Sequence, residues 1–269
     1  HTARFVMRRP VPVVLLTLIA LSVMASPISN IKFSQGDSRM LPANNPAAVA
    51  TAVQAERFPG QTGNPIEIII FKGADKTSEI ADYATKIAAT KGIVAVVPPQ
   101  VINDDVRLVA YQSMLPRTPE SQELIHNLRD ITAPAGTLIG GVAADYTDSQ
   151  DGISSTLPWA FGWITLSVLI LVFIFTGSII LPIKAVLLNV LSLAATMGVL
   201  TWVFIDGNLR WLVGDFTLTG SVDTSIVILI AVVVFGLSMD YELFLLSRIR
   251  EEHLQGRSNI ESVATGLQR

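Results

Sequence analysis

The sequence predicts an α-helical transmembrane bundle of four spans, with an extracytoplasmic α/β domain placed after the first span. Three observations carry that prediction. Half of the 269 residues are hydrophobic, only 15% are charged and the mean hydropathy is +0.51, which is too apolar for an ordinary water-soluble domain. Four long apolar runs occur, each near the roughly 20 residues a helix needs to cross about 30 Å of hydrocarbon. Between the first and second runs, residues 29–156 alternate short β-rich segments with amphipathic helical periods.

The first run, "VPVVLLTLIALSVMASPI" at 11–28, follows Arg4, Arg8 and Arg9. A signal peptide is the alternative, with "ASP" as a weak cleavage site. An anchor is preferred, because the later spans need one here to keep their orientation consistent. The second run covers 157–180, the third 182–205 and the fourth 225–246. Lys184 sits in the joint between the second and third, and Arg248, Arg250 and Arg257 follow the fourth. The loop at 206–224 sets Arg210 against Asp206, Asp215 and Asp223. Positive charge stays inside, so residues 1–10, the Lys184 joint and 247–269 are expected in the cytoplasm. Residues 29–156 and 206–224 then lie outside a plasma (inner) membrane that the chain crosses several times. Trp159, Trp163, Trp202 and Trp211 mostly fall near the predicted interfaces, as an aromatic belt does.

Within 29–156 the elements follow one another. "PAAVATAVQAERF" reads as a helix. "IEIIIF" (66–71) is a short β-rich strand. "SEIADYATKIAATKG" has helical period, with Ser78 as a candidate cap and Gly92 as a stop. "IVAVV" (93–97) reads as a strand ended by Pro98-Pro99. "VRLVAYQSML" is a further strand. "PESQELIHNLRDI" opens on Pro119 and puts Leu124, Leu128 and Ile131 on one helical face. "TLIGGV" closes the series as a strand, and a helix from about Ala143 runs toward the second span. The order βαββαβ is a split βαβ, or ferredoxin-like, unit.

Composition also excludes. A formal charge of −3 leaves no broad basic surface for nucleic acid. There is no cysteine, so disulfides and thiolate metal sites are ruled out. His1, His126 and His253 are too scattered for a zinc motif, and no metal or organic cofactor is implied. The chain begins at His1 rather than Met and runs out at "VATGLQR", so a piece of a longer polypeptide is expected.

The chemistry concentrates in the fourth run. Asp240 lies fourteen positions after Ile226 and eight before Arg248, or about 21 Å and about 12 Å along a helix. It is therefore at membrane depth, where a carboxylate costs about 2.5–3.5 kcal/mol on insertion scales. It is expected to face protein or water and to bind and release a proton. Tyr241 adds a hydroxyl that can hold or relay that proton. Helical spacing sets Gly236, Asp240 and Phe244 on one stripe, and Gly236 would let a neighbouring helix approach closely. The bland alternative for Asp240 is a structural hydrogen-bonding residue. Asn189, Ser192 and Thr196 share a face of the third run, either as helix–helix glue, the preferred reading, or as a polar lining near Asp240.

The segment "FGLSMDYELFLLSRIREEHLQG" resembles the signature of the MmpL family, a branch of the resistance-nodulation-division (RND) transporters. "GSIILPIKAVLLNVLSLAATMGVLTWVFIDG" and "RRPVPVVLL" through "DSRMLP" are similar to neighbouring parts of the same family, so the resemblance covers nearly the whole chain. "GLSMDYE" looks more like a C-terminal half than an N-terminal one. The resemblance implies that residues 29–156 form a porter-like domain. It implies that Asp240 and Tyr241 are one pair of a two-part proton relay, and that Gly236 and Phe244 line the central cavity. The coupling ion would be the proton, and the cargo a lipid or another amphipathic envelope component moved by proton-motive force. The partners would be the missing N-terminal half and the last two spans of the same transporter.

Three alternatives are weighed beside it. Small-molecule drug efflux belongs to the same superfamily. A binding or assembly module without transport fits a half-relay standing alone, and a homodimer could in principle supply a second Asp-Tyr pair. An intramembrane aspartyl protease is disfavoured, because it needs two carboxylates at depth and this chain has only Asp240 there.

Overall fold

The computed structural model describes residue 6 and residues 9–42, 44–58, 64–214 and 216–266. His1, Arg4, Arg8 and Asp215, used above, lie outside the described residues. The chain divides into two compact units. One is Lys32–Thr156; the other combines the described residues up to Ile31 with those from Leu157 onward. Helix α1 (Pro10–Ala25) belongs to the second.

The Lys32–Thr156 unit opens with a two-residue strand, β1 (Phe33–Ser34), and helix α2 (Pro46–Arg57). Asn45 caps α2 by accepting from the Ala47 amide at 2.9 Å. Then come β2 (Ile66–Ile70), α3 (Thr77–Ala88), β3 (Ile93–Ile102), β4 (Asp105–Gln112), α4 (Pro119–Arg129) and β5 (Thr137–Gly140). The order is βαββαβ as expected. The sheet runs β3-β4-β2-β5 with every neighbour antiparallel, the ferredoxin-like arrangement. Alternation explains the packing: Ile66, Ile68 and Ile70 of β2 are fully buried, as are Leu108 and Ala110 of β4. They meet Ile80, Tyr83 and Ile87 of α3 and Leu124, Ile125 and Leu128 of α4. Each large side chain so buried contributes about 1.5–3 kcal/mol. Arg107 of β4 grips the Glu67 carboxylate of β2 with two bonds of 2.8 Å.

Two local expectations change here. Ser78 does not cap α3: the helix starts one residue earlier, at Thr77, and its cap position, Lys76, gives no side-chain bond. Strand β3 does not stop at Pro98-Pro99 but continues to Ile102, with a register shift between Val97 and Gln100. It can do so because β3 is an edge strand, where missing ladder donors are tolerated, and because the irregularity falls on the prolines.

Helix α5 (Val142–Thr176) supplies the last pieces of this unit from its first turns. Ala143, Ala144, Tyr146 and Thr147 are buried there, and the Tyr146 hydroxyl donates to the Phe33 carbonyl at 3.0 Å. Arg129 of α4 pairs with Asp148 at 2.6 Å, and Gln122 donates to Asp151 at 3.0 Å.

The helical unit holds α1, the part of α5 from Leu157, α6 (Ile180–Leu200), the short α7 (Arg210–Val213), the two-residue strand β6 (Val222–Asp223), α8 (Thr224–Leu254) and α9 (Asn259–Gly266). Among the described residues, four helices are long and apolar enough to cross a membrane: Pro10–Asn30, Val142–Thr176, Ile180–Ile205 and Thr224–Leu254. Their outward side chains are large and apolar, Leu16, Ile174 and Leu229 among them. In water such surfaces would be a liability, and in lipid they are what a span requires.

Four boundaries move from the sequence reading. The second helix ends at Thr176 rather than at 180, because Gly177 takes a left-handed φ of 69° and breaks it; Ile180 opens α6 instead. The fourth starts at Thr224, where the Asp223 carboxylate accepts from the Ser225 and Ile226 amides at 2.9 and 3.2 Å. It continues beyond 246 to Leu254, and α9 follows and packs on α8, with Gly266 against Ile249.

Gly198 of α6 meets the end of α1. A Cβ added there would collide with the Met24 carbonyl oxygen and fall 2.9 Å from the Ala25 Cα. The two backbones touch because no side chain separates them.

Candidate functional site

Helix α8 positions the predicted site. Phe235 and Met239 turn inward and are buried with Ala185 and Val186 of α6, and Val168 and Leu169 of α5 pack against the same cluster. The Phe161 ring meets Phe235 edge-on, with centroids 6.2 Å apart. At 100° per residue, Asp240 falls roughly 140° around the helix from Phe235 and roughly 100° from Met239. It therefore points away from the packed face. Gly236, Asp240, Tyr241 and Phe244 are all exposed, with Tyr241 71% and Phe244 59% accessible. The helix thus gathers the four predicted residues on its outward side.

None of the four is seated in a helix–helix contact of this unit among the described residues. A Cβ added at Gly236 would meet nothing within 4 Å, so the close approach expected there is not made. It is made at Gly198 instead, where Ala194-x-x-x-Gly198 is the small-residue spacing that marks such a contact and could have been read from the sequence. Arg248 lies over the Phe244 ring, 5.6 Å from its centroid, and also reaches Glu251 at 3.0 Å.

On the polar face of α6, Asn189 acts as helix–helix glue, the preferred of the two readings, and Thr196 bonds only within its own helix. The Asn189 Nδ2 donates to the Phe235 carbonyl oxygen at 3.2 Å, and Thr196 donates within its own helix to the Ser192 carbonyl at 3.0 Å. A contact across the unit that escaped sequence reasoning joins Arg250 of α8 to the Phe175 carbonyl at the end of α5, with the guanidinium over the Phe175 ring. A cation at a helix C-terminus satisfies carbonyls that have no amide left to bind them. The two partners are far apart in sequence, so no local signal announces the pairing.

The Lys32–Thr156 unit has a cavity of about 510 Å³ beside β2 and β5. Ile69, Phe71, Leu128 and Leu138 make it mainly apolar, with Glu67 and the Arg129–Asp148 pair among its polar groups. Tyr83 also lines it; burial pushes the phenol above its ordinary value, and no hydrogen-bond partner reaches its hydroxyl among the described residues. No group of three or more His, Asp or Glu suited to a metal occurs among the described residues.

A membrane protein of Streptomyces coelicolor is 33% identical over 99% of the chain. The trehalose monomycolate exporter MmpL3 of Mycobacterium tuberculosis is 31% identical over 97%. The mycolic acid-containing lipids exporter MmpL11 of Mycolicibacterium smegmatis is 34% identical over 97%. The chain spans only 37%, 29% and 29% of the lengths of these three relatives. The model of the MMPL family matches residues 39–269, and the chain belongs to that family.

Proposed function

We propose that this chain is part of a proton-motive-force-driven transporter that exports lipids or other amphipathic envelope components, with Asp240 and Tyr241 as one half of its proton relay. The observation that carries the reading is the outward stripe of α8. A carboxylate, a phenol and a side-chain-free position lie together on a face that this unit leaves uncovered, on a helix long and apolar enough to cross a membrane. An ionisable group in a span normally faces protein or water, so the stripe calls for a covering surface, which the remainder of the transporter would supply. Gly236 and Phe244 then line the seam. The Lys32–Thr156 unit serves as a porter-like domain outside the plasma membrane, with both ends of the chain in the cytoplasm, as Lys184, Arg248, Arg250 and Arg257 favour. The names of the relatives support lipid as cargo.

The mechanism follows from charge. Ionised Asp240 holds α8 against a polar or positive partner. A proton from the outer side neutralises it, weakens that hold and lets the helices shift against the opposite half; release to the cytoplasm restores it. Each charge crossing the potential supplies about 2.3 kcal/mol per 100 mV. In the full-length transporter, Asp240→Asn keeps shape and insertion but removes titration. Lipid export should stop while the protein remains in the membrane at parent levels. Export that persists overturns the relay.

A further inference from the structure

We infer that Asn189 is a positioning residue for the proton-coupled step, its amide fixing the seat of α8 on α6 just before Asp240. The inference rests on the relay reading of Asp240 and Tyr241. Asn189 is 2% exposed, and its one bond to another helix among the described residues goes to the main chain of α8, at Phe235, five residues before Asp240. The cluster beside it, Ala185, Val186, Phe235 and Met239 with Val168 and Leu169, is apolar and has no titratable group. An amide is a poor packing residue in such surroundings. It is poorer still because nothing among the described residues donates to its Oδ1. Leucine, of similar volume, would fill the space without that penalty. What Asn189 supplies and leucine cannot is the donor to the Phe235 carbonyl.

A main-chain acceptor fixes both the height of α8 and its rotation about its own axis. The apolar contacts of Phe235 and Met239 tolerate a small rotation, whereas a directed hydrogen bond resists it. Rotation matters because Asp240 and Tyr241 project from the other side of α8. A turn of about 20° moves a group roughly 6 Å from the helix axis by roughly 2 Å. Proton transfer needs donor and acceptor within about 2.6–3.2 Å, so a displacement of that size opens or closes the transfer.

The test uses the full-length transporter in a deletion strain, with export read as surface-extractable lipid after a radiolabelled acetate pulse. Rates are taken relative to the parent protein at each external pH, from mildly acid to mildly alkaline. Asn189→Leu should export about tenfold more slowly at every pH, the loss expected from one buried hydrogen bond, at unchanged protein level in the membrane. Asn189→Asp is isosteric and donates to Phe235 only while protonated. It should approach the parent rate at acid pH and fall toward the leucine variant at alkaline pH, whereas a pure packing role predicts that leucine, which fills the site, exports at the parent rate at every pH. Leucine exporting at the parent rate overturns the inference. So does an aspartate variant that is as slow as leucine throughout. Should leucine fail to insert, the pH dependence of the aspartate variant decides alone. Asp240→Asn is run in parallel: if it exports, the relay reading falls, whereas its loss beside a parent-like Asn189→Leu removes only the role given to Asn189.

Discussion

Gly198→Ala is a one-methyl change whose cost can be worked from the contact it enters. The added Cβ would sit against the Met24 carbonyl oxygen and 2.9 and 3.0 Å from the Ala25 Cα and carbonyl carbon. All three are backbone atoms, so no side chain can swing away, and α1 or α6 must retreat as a body. Overpacking of this kind costs about 1–3 kcal/mol, which lowers the docked-to-undocked ratio of α1 by roughly 5- to 150-fold. Gly162→Ala is the matched control. Gly162 lies in α5 with nothing within 4 Å of an added Cβ, so there the methyl should gain about 0.5–1 kcal/mol from helix propensity alone. The assay is thermal unfolding of the 269-residue chain in detergent micelles, followed by helicity. Gly198→Ala should melt below the parent and Gly162→Ala at or above it. A Gly198→Ala protein that melts with the Gly162 variant refutes the backbone contact.

Two further predictions concern the Lys32–Thr156 unit. Tyr83→Phe removes a buried hydroxyl that has no hydrogen-bond partner among the described residues, and should stabilise the unit by about 1 kcal/mol rather than weaken it. Because the folded phenol titrates above its ordinary value of 10.0, its stability is complete below that pH and lost as pH rises through and beyond it; alkaline denaturation monitored by circular dichroism should show less of that loss in the variant. Ile68→Ala, at a fully buried position in the middle of β2, should cost about 2–5 kcal/mol, read as faster hydrogen exchange of the β2 and β4 amides with α6 and α8 unaffected.

Much of this fold was legible because its signals are local. The alternation in "IEIII" and the single apolar face of "PESQELIHNLR" are each set by their own residues, and the βαββαβ order follows from reading them in turn. Boundaries were harder where a residue's effect depends on its neighbours in space. Pro98-Pro99 looks like a terminator until β3 is seen to be an edge strand, and Ile180 reads as the end of the second span until Gly177 turns left-handed before it. The site shows the same division. That Asp240, Gly236 and Phe244 share a stripe is helical arithmetic, but which way the stripe points depends on Phe235 and Met239 finding Ala185 and Val186. Of the two glycines, sequence favoured Gly236 because it stood beside a charge; the backbone contact belongs to Gly198, whose partner lies in the first helix.

The two prolines of β3 bear on more than the length of that strand. A ten-residue edge strand with exposed Val94, Val101 and Ile102 offers a ready template for another chain to join, and through it for aggregation. Pro98 and Pro99 remove two amide donors from its middle, and the register shift there spoils the spacing of the rest. An incoming strand finds matching partners on either side of the prolines but never along a run long enough to hold it. The pair thereby protects the sheet against templated growth while the chain is still crowded with its own unfolded copies.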